Sequence, residues 1–146
     1  MARIVADCTD TTTGAVEPGG DKEPWLLRKT RYLEHLQSAQ SDSLLVSAAD
    51  KAHNARDMVL DARRDPAMWS KFNAGLEGSA WYLQSLHQIF CQRLEGSRSV
   101  ESLGESVQEI LSSAPYLALV PAGDDPQAYA EAYALRHRAA VAQQAE

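Results

Sequence analysis

Asp50, Asn54, Asp57 and Asp61 fall at i, i+4, i+7 and i+11 within the stretch Ser41 to Arg64, SDSLLVSAADKAHNARDMVLDARR. On a helix that spacing projects all four from roughly one side, so carboxylates and an amide share one face. Carboxylates can hold a divalent cation, and a cation so held can supply the positive charge that a phosphorylated ligand needs. Aspartate competes with the helix backbone for hydrogen bonds, so Asp50, set among Ala48, Ala49 and Ala52, calls for a reason. The alternative is a plain solvated face, the commoner role of polar residues at helical spacing.

The element that must position these residues is the helix itself. Leu45, Ala48, Ala49, Ala52, Ala55 and Val59 recur at three- and four-residue spacing, which predicts that this stripe packs against the core. His53 lies one residue before Asn54, towards the alanine side, and is expected to pack against or bond a neighbouring helix. His35 and His87 lie near apolar faces and read as structural histidines, and His137 is near the end of the chain. No histidine precedes an aspartate, and HExxH, GxSxG and GxxxxGK[ST] are absent, which removes the common hydrolase and nucleotide-binding signatures. Ser41, Ser43 and Ser47 read as caps and polar surface.

The order Leu45-Val46-Ser47-Ala48-Ala49-Asp50-Lys51-Ala52-His53-Asn54-Ala55-Arg56 resembles the Asp-bearing helix of HD-superfamily phosphohydrolases, in particular the RelA/SpoT-type domain that cleaves guanosine tetraphosphate. Two further blocks resemble a bacterial subgroup of that superfamily: Pro24-Trp25-x-x-Arg28-Lys29-x-x-Tyr32-x-x-x-Leu36, and Trp69 to Tyr82 with Phe72, Asn73, Gly75, Glu77 and Trp81. The resemblance covers about residues 1–95. It implies a divalent metal, usually manganese, held by an early His, a His-Asp dipeptide and a later Asp. Asp50 matches the later Asp, and Asn54 matches a residue that contacts the nucleotide. The early His, the His-Asp dipeptide and the Glu-Asp pair that follows it have no counterpart in this chain. One carboxylate does not fix a divalent cation, so no hydrolysis is expected from an isolated monomer. Asp57 and Asp61 are expected to add at most a loose oxygen site.

Fourteen basic against twenty acidic residues give a net charge of −6, and no Lys/Arg-rich run compensates locally, which disfavours nucleic acid as a partner. Cys8 and Cys91 form no CxxC pair and are expected to be reduced thiols. No apolar run approaches the roughly 18 residues of a membrane helix, and no signal-peptide pattern opens the chain, so a cytoplasmic location is expected.

Along the chain, residues 2–9 read as the tail of a helix, the first sign of truncation, and 11–23 as a polar loop. Helices are expected over 24–39, with Arg28, Lys29 and Arg31 as a basic cluster on its polar face, over the central stretch, over Leu76–Leu94 and over Val100–Leu111. Asp65-Pro66 and Asp125-Pro126 are helix-start signals, the second opening a last helix through Tyr129, Tyr133 and Leu135. Pro115 reads as a break. Trp69, Phe72, Trp81, Tyr82 and Phe90 are expected in the core.

These readings predict an all-α protein, an orthogonal helical bundle of five to six helices resembling the C-terminal half of an HD domain. Residues 1–95 would form the partial HD-type domain and 96–146 a helical extension. The expected function is that of a fragment or degenerate member of the metal-dependent phosphohydrolases, acting on a phosphorylated nucleotide only with a partner that supplies the missing half. The alternative is a non-catalytic helical module that self-associates to bury apolar faces left open.

Overall fold

The computed structural model describes residues 25–71 and 75–137, and every regular element among them is helical. The expected all-α bundle is therefore what forms. The elements are α1 (Trp25–Ser38), α2 (Ser41–Arg64), a 3-10 turn (Pro66–Lys71), α3 (Gly75–Arg93), α4 (Arg98–Leu111), α5 (Ala114–Leu117) and α6 (Pro126–Glu131). The expectations for residues 2–9 and 11–23, and for Cys8, Pro24, Phe72 and Asn73, lie outside the described residues.

Leu26, Lys29, Tyr32, Leu33 and Leu36 form the buried row of α1, three to four residues apart. Lys29 thus leaves the expected basic cluster: it is 5% exposed, with its ammonium 4.3 Å from the centroid of the Tyr82 ring and 5.9 Å from that of Trp25. A ring face attracts a cation, which offsets part of the cost of burying it. Arg31 remains exposed.

The 24-residue α2 is the longest helix, and it packs most extensively against α4. Its buried side carries Leu44, Ala48, Ala52, Ala55 and Val59, small enough in the middle for a neighbouring helix to come close. At its C-terminal end, Arg63 Nε donates to Glu109 Oε2 at 2.6 Å and Nη2 donates to Oε1, a fork that ties α2 to α4. That bond raises the Arg63 pKa above its ordinary value and lowers that of Glu109. Both groups are at the surface, so the pair fixes the register more than it stabilises the fold.

Asp65 caps the following turn, its Oδ1 accepting from the Ala67 N–H at 3.1 Å. Asp125 does the same for α6, accepting from the Ala128 N–H at 2.9 Å with Pro126 in the first turn. Gly96, at φ +79°, ends the α3–α4 connection in a left-handed conformation. Pro115 does not break the chain as expected. It sits in the first turn of α5, where its missing N–H costs nothing, behind the Ser113 cap. The turn it starts buries Tyr116 completely, and that phenol donates to the Pro126 carbonyl at 3.3 Å, closing α5 onto α6.

Trp69, Trp81, Tyr82 and Phe90 are buried as expected. Trp25 meets Trp81 and Tyr133 edge-on, and Trp81 and Tyr133 lie tilted to each other, with ring centroids 5.5 to 6.5 Å apart across the group. The last helix is interrupted at Ala132, and Leu135 is exposed rather than packed. One core cluster runs from Leu26 to Tyr133, so residues on both sides of Gly96 share it.

Candidate functional site

The Asp50 face of α2 looks outward. Asp50, Asn54, Asp57 and Asp61, which their spacing places on one side of the helix, are all exposed, and so is His53. The apolar stripe, however, is rotated from its expected place. Leu45 is 49% exposed and Ala49 is exposed as well, while Leu44, Ser43, Ser47 and Lys51 turn inward. Alanines lie on both sides of this helix, so they do not decide its rotation. Leu44 and Leu45 would bury equal apolar area, so which of the two turns inward is set by the neighbours that α2 meets, Tyr32 of α1 and the face of α4.

Beneath Asp50 lies a polar set that sequence reasoning missed. Tyr32 of α1 and Ser47 of α2 bond through their hydroxyls at 2.7 Å, both buried. One turn on, the Lys51 ammonium lies 5.3 Å from the centroid of the Tyr32 ring and 3.6 Å from Asp50 Oδ2. Lys51 therefore threads its methylenes through the helix interface and delivers its charge at the base of the Asp50 carboxylate. The i, i+4 series Ser43, Ser47, Lys51 was the available signal, but it reads equally well as surface. Ser47 is wholly buried rather than a cap.

Asn54 Nδ2 donates to Asp50 Oδ2 at 3.5 Å, so the structure brings these two predicted residues together. The bond is at the long limit and exposed, and leaves the Asn54 side-chain oxygen and the second Asp50 oxygen facing water. His53 does not reach a neighbouring helix. Its Nδ1 is 3.5 Å from Asp57 Oδ2 on the same helix, and both side chains are exposed, because His53 is rotated to the solvent side of the shifted stripe. Asp57 and Asp61 stand about 10 and 16 Å along the axis from Asp50, from the helix rise alone.

No group of three or more His, Cys, Asp or Glu side chains capable of holding a metal occurs among the described residues. The oxygen donors present do not fit a divalent cation by themselves: Asp50 is single, an ammonium already sits beside it, and Asp57 and Asp61 are too far off to close a shell. His35 is exposed beside the Tyr32 ring, and His87 is half-buried with Nε2 3.3 Å from Cys91 Sγ. Burial lowers the His87 pKa. Cys91 is a free thiol, as expected.

Around the acidic stripe the same face carries exposed Val46, 44% accessible, and Leu60 beside Asp61. The two lie about 21 Å apart along the helix, one on either side of the Asp50–Asn54 pair in sequence, from the helix rise alone. No described helix is long and apolar enough to cross a membrane. No protein-family model matches this chain, and no curated protein matches it.

Proposed function

We propose that this chain supplies one wall of an HD-type phosphohydrolase site, with Asp50 as one metal ligand and Asn54 as a nucleotide contact, the other ligands coming from a partner surface laid over the exposed face of α2. The observation that supports this reading is the outward pairing of Asp50 with Asn54 one turn away, held from below by Lys51. Manganese and guanosine tetraphosphate enter it through the resemblance in the sequence. Asp50 alone offers one ligand where an oxygen site takes about six, so the chain by itself is inactive in this reading. What its own residues do is placement. Lys51 holds the Asp50 carboxylate at a set height on the helix, and Asn54 offers an amide on the same side.

The experiment is a fusion that places the His-Asp-bearing half of a RelA/SpoT-type hydrolase ahead of α1, assayed for phosphate release from guanosine tetraphosphate with manganese. Hydrolysis should appear, and Asp50→Ala and Asn54→Ala should each lower it at least tenfold, about 1.4 kcal/mol in barrier. Activity unchanged by both substitutions refutes the assignment. The second reading, self-association through Leu45, Val46 and Leu60, is favoured by the exposure of those side chains. It predicts a dimer in sedimentation that Leu45→Glu dissociates and that binds no manganese.

A further inference from the structure

His87 and Cys91 stand one turn apart on α3, and the imidazole Nε2 lies 3.3 Å from Cys91 Sγ. Imidazole nitrogen and thiolate sulfur are donors that zinc takes readily, and bonds of about 2.0 and 2.3 Å at the tetrahedral angle put the two atoms about 3.5 Å apart. The pair already stands at that edge to within about 0.2 Å. A linear arrangement of the same two bonds needs roughly 4.3 Å, so the spacing suits a tetrahedral ion. Both donors can be reached. Cys91 is exposed, and His87 lines the open groove between α3 and α4, where Glu105 also stands and no lysine or arginine does. Gly104 of α4 leaves the nitrogen its space, because a Cβ there would come within 2.6 Å of Nε2.

We infer that His87 and Cys91 are half of a zinc site that a second copy of this chain completes, with two sulfurs and two nitrogens around one ion. No third His, Cys, Asp or Glu joins the pair among the described residues, so one chain leaves half of the tetrahedral shell open. A two-fold axis through the metal supplies the same two donors again, which is how identical subunits close a shared site. The two thiols give up their protons to solvent as they bind, and the thiolates neutralise the ion. Around the pair the surface is polar: Gln88 and Gln92 on α3 and Glu95 just beyond it are all exposed. Such a surface offers little apolar area to hold two chains together, so the contact depends on the metal.

The test is titration of the whole, reduced, metal-free chain with zinc chloride, followed by calorimetry and by sedimentation. Zinc should saturate at one ion per two chains, half-saturating below about 10 μM, and should shift the chain to a larger species that a chelator reverses. Cobalt in its place should give the intense near-ultraviolet absorption of a thiolate–cobalt bond. Cys91→Ser and His87→Gln should each weaken zinc at least tenfold and remove the zinc-dependent association, with circular dichroism confirming that both are folded. Cys8→Ser and His53→Gln, which remove the other thiol and the imidazole paired with Asp57, should change neither. Leu45→Glu, which breaks the apolar dimer of the second reading above, should still associate with zinc. No binding up to about 100 μM, tenfold above the expected value, overturns the proposal. So does one zinc per chain on a monomer, cobalt bound without thiolate absorption, or a loss as large in Cys8→Ser or His53→Gln.

Discussion

Arg93, in the last turn of α3, closes the C-terminal end of a different helix. Its Nη1 donates to the carbonyls of Leu36 and Gln37 at 2.8 and 2.9 Å, and its Nη2 to that of Ala39 at 2.7 Å. The last carbonyls of a helix have no partner within it, and a cation at that end also meets the negative pole of the helix dipole. Replacing Arg93 by Met keeps most of the aliphatic stem and removes all the donors. The bonds to Leu36 and Ala39 are partly buried, and each charge-assisted bond contributes about 1.5 kcal/mol, while the exposed Gln37 carbonyl is readily rehydrated and adds about 0.5 or less. The expected loss is therefore about 3 kcal/mol, or roughly 6–12 °C in Tm for a chain of this size. Arg93→Lys, whose ammonium cannot span the fork, should lose about half as much. Urea unfolding followed by circular dichroism gives both values, with unchanged slopes showing that the native state is otherwise intact. A loss under 0.5 kcal/mol in Arg93→Met, or Arg93→Lys as unstable as Arg93→Met, would show that water replaces this cap without cost. The consequence reaches the candidate site, because the capped segment is the turn that leads into α2 and Asp50.

Leu103, fully buried on α4, should cost about 2–5 kcal/mol when cut to Ala, measured by the same urea titration. Gly75 opens α3 at φ +63° with nothing within 4 Å of an added Cβ, so Gly75→Ala should cost only the left-handed strain, about 1–2 kcal/mol of stability. Burial lowers the His87 pKa, so the unfolded chain binds a proton more readily than the native one. The stability this neutral imidazole contributes is present above the ordinary histidine value of about 6.5 and is lost as pH falls through it towards the lower native value. His87→Gln should flatten that part of a stability–pH curve, and an unchanged slope would refute the assignment. Asp50→Ala should lower stability by about 1 kcal/mol, because the buried Lys51 ammonium keeps the Tyr32 ring and loses its carboxylate, so its effect on the fusion enzyme is read beside the same urea titration.

Much of this molecule is legible without coordinates. Leu26, Leu33 and Leu36 on α1, and Val100, Leu103, Val107, Ile110 and Leu111 on α4, recur at helical spacing with large side chains, and all of them are buried. Asp65-Pro66 and Asp125-Pro126 mark real starts, because a short acceptor before a proline satisfies the first free N–H groups and needs nothing from elsewhere in the fold. The common face of Asp50, Asn54, Asp57 and Asp61 also follows from spacing alone, since all four are exposed.

Which way α2 is turned is another matter, and so is what lies under its polar face. Alanine and serine bury too little area to orient a helix, and Ala48, Ala49, Ala52, Ser43 and Ser47 surround α2 on several sides. Its rotation was decided by what it met: the ring and hydroxyl of Tyr32, which take in Lys51 and Ser47, and the close approach of α4. Lys29 is buried for the same reason, because the Tyr82 ring that receives its ammonium is 53 positions away in the chain. Local spacing states which residues share a side of a helix. The partners that make burying a charge or a hydroxyl affordable come from distant parts of the sequence, and only their assembly in three dimensions decides which side turns inward.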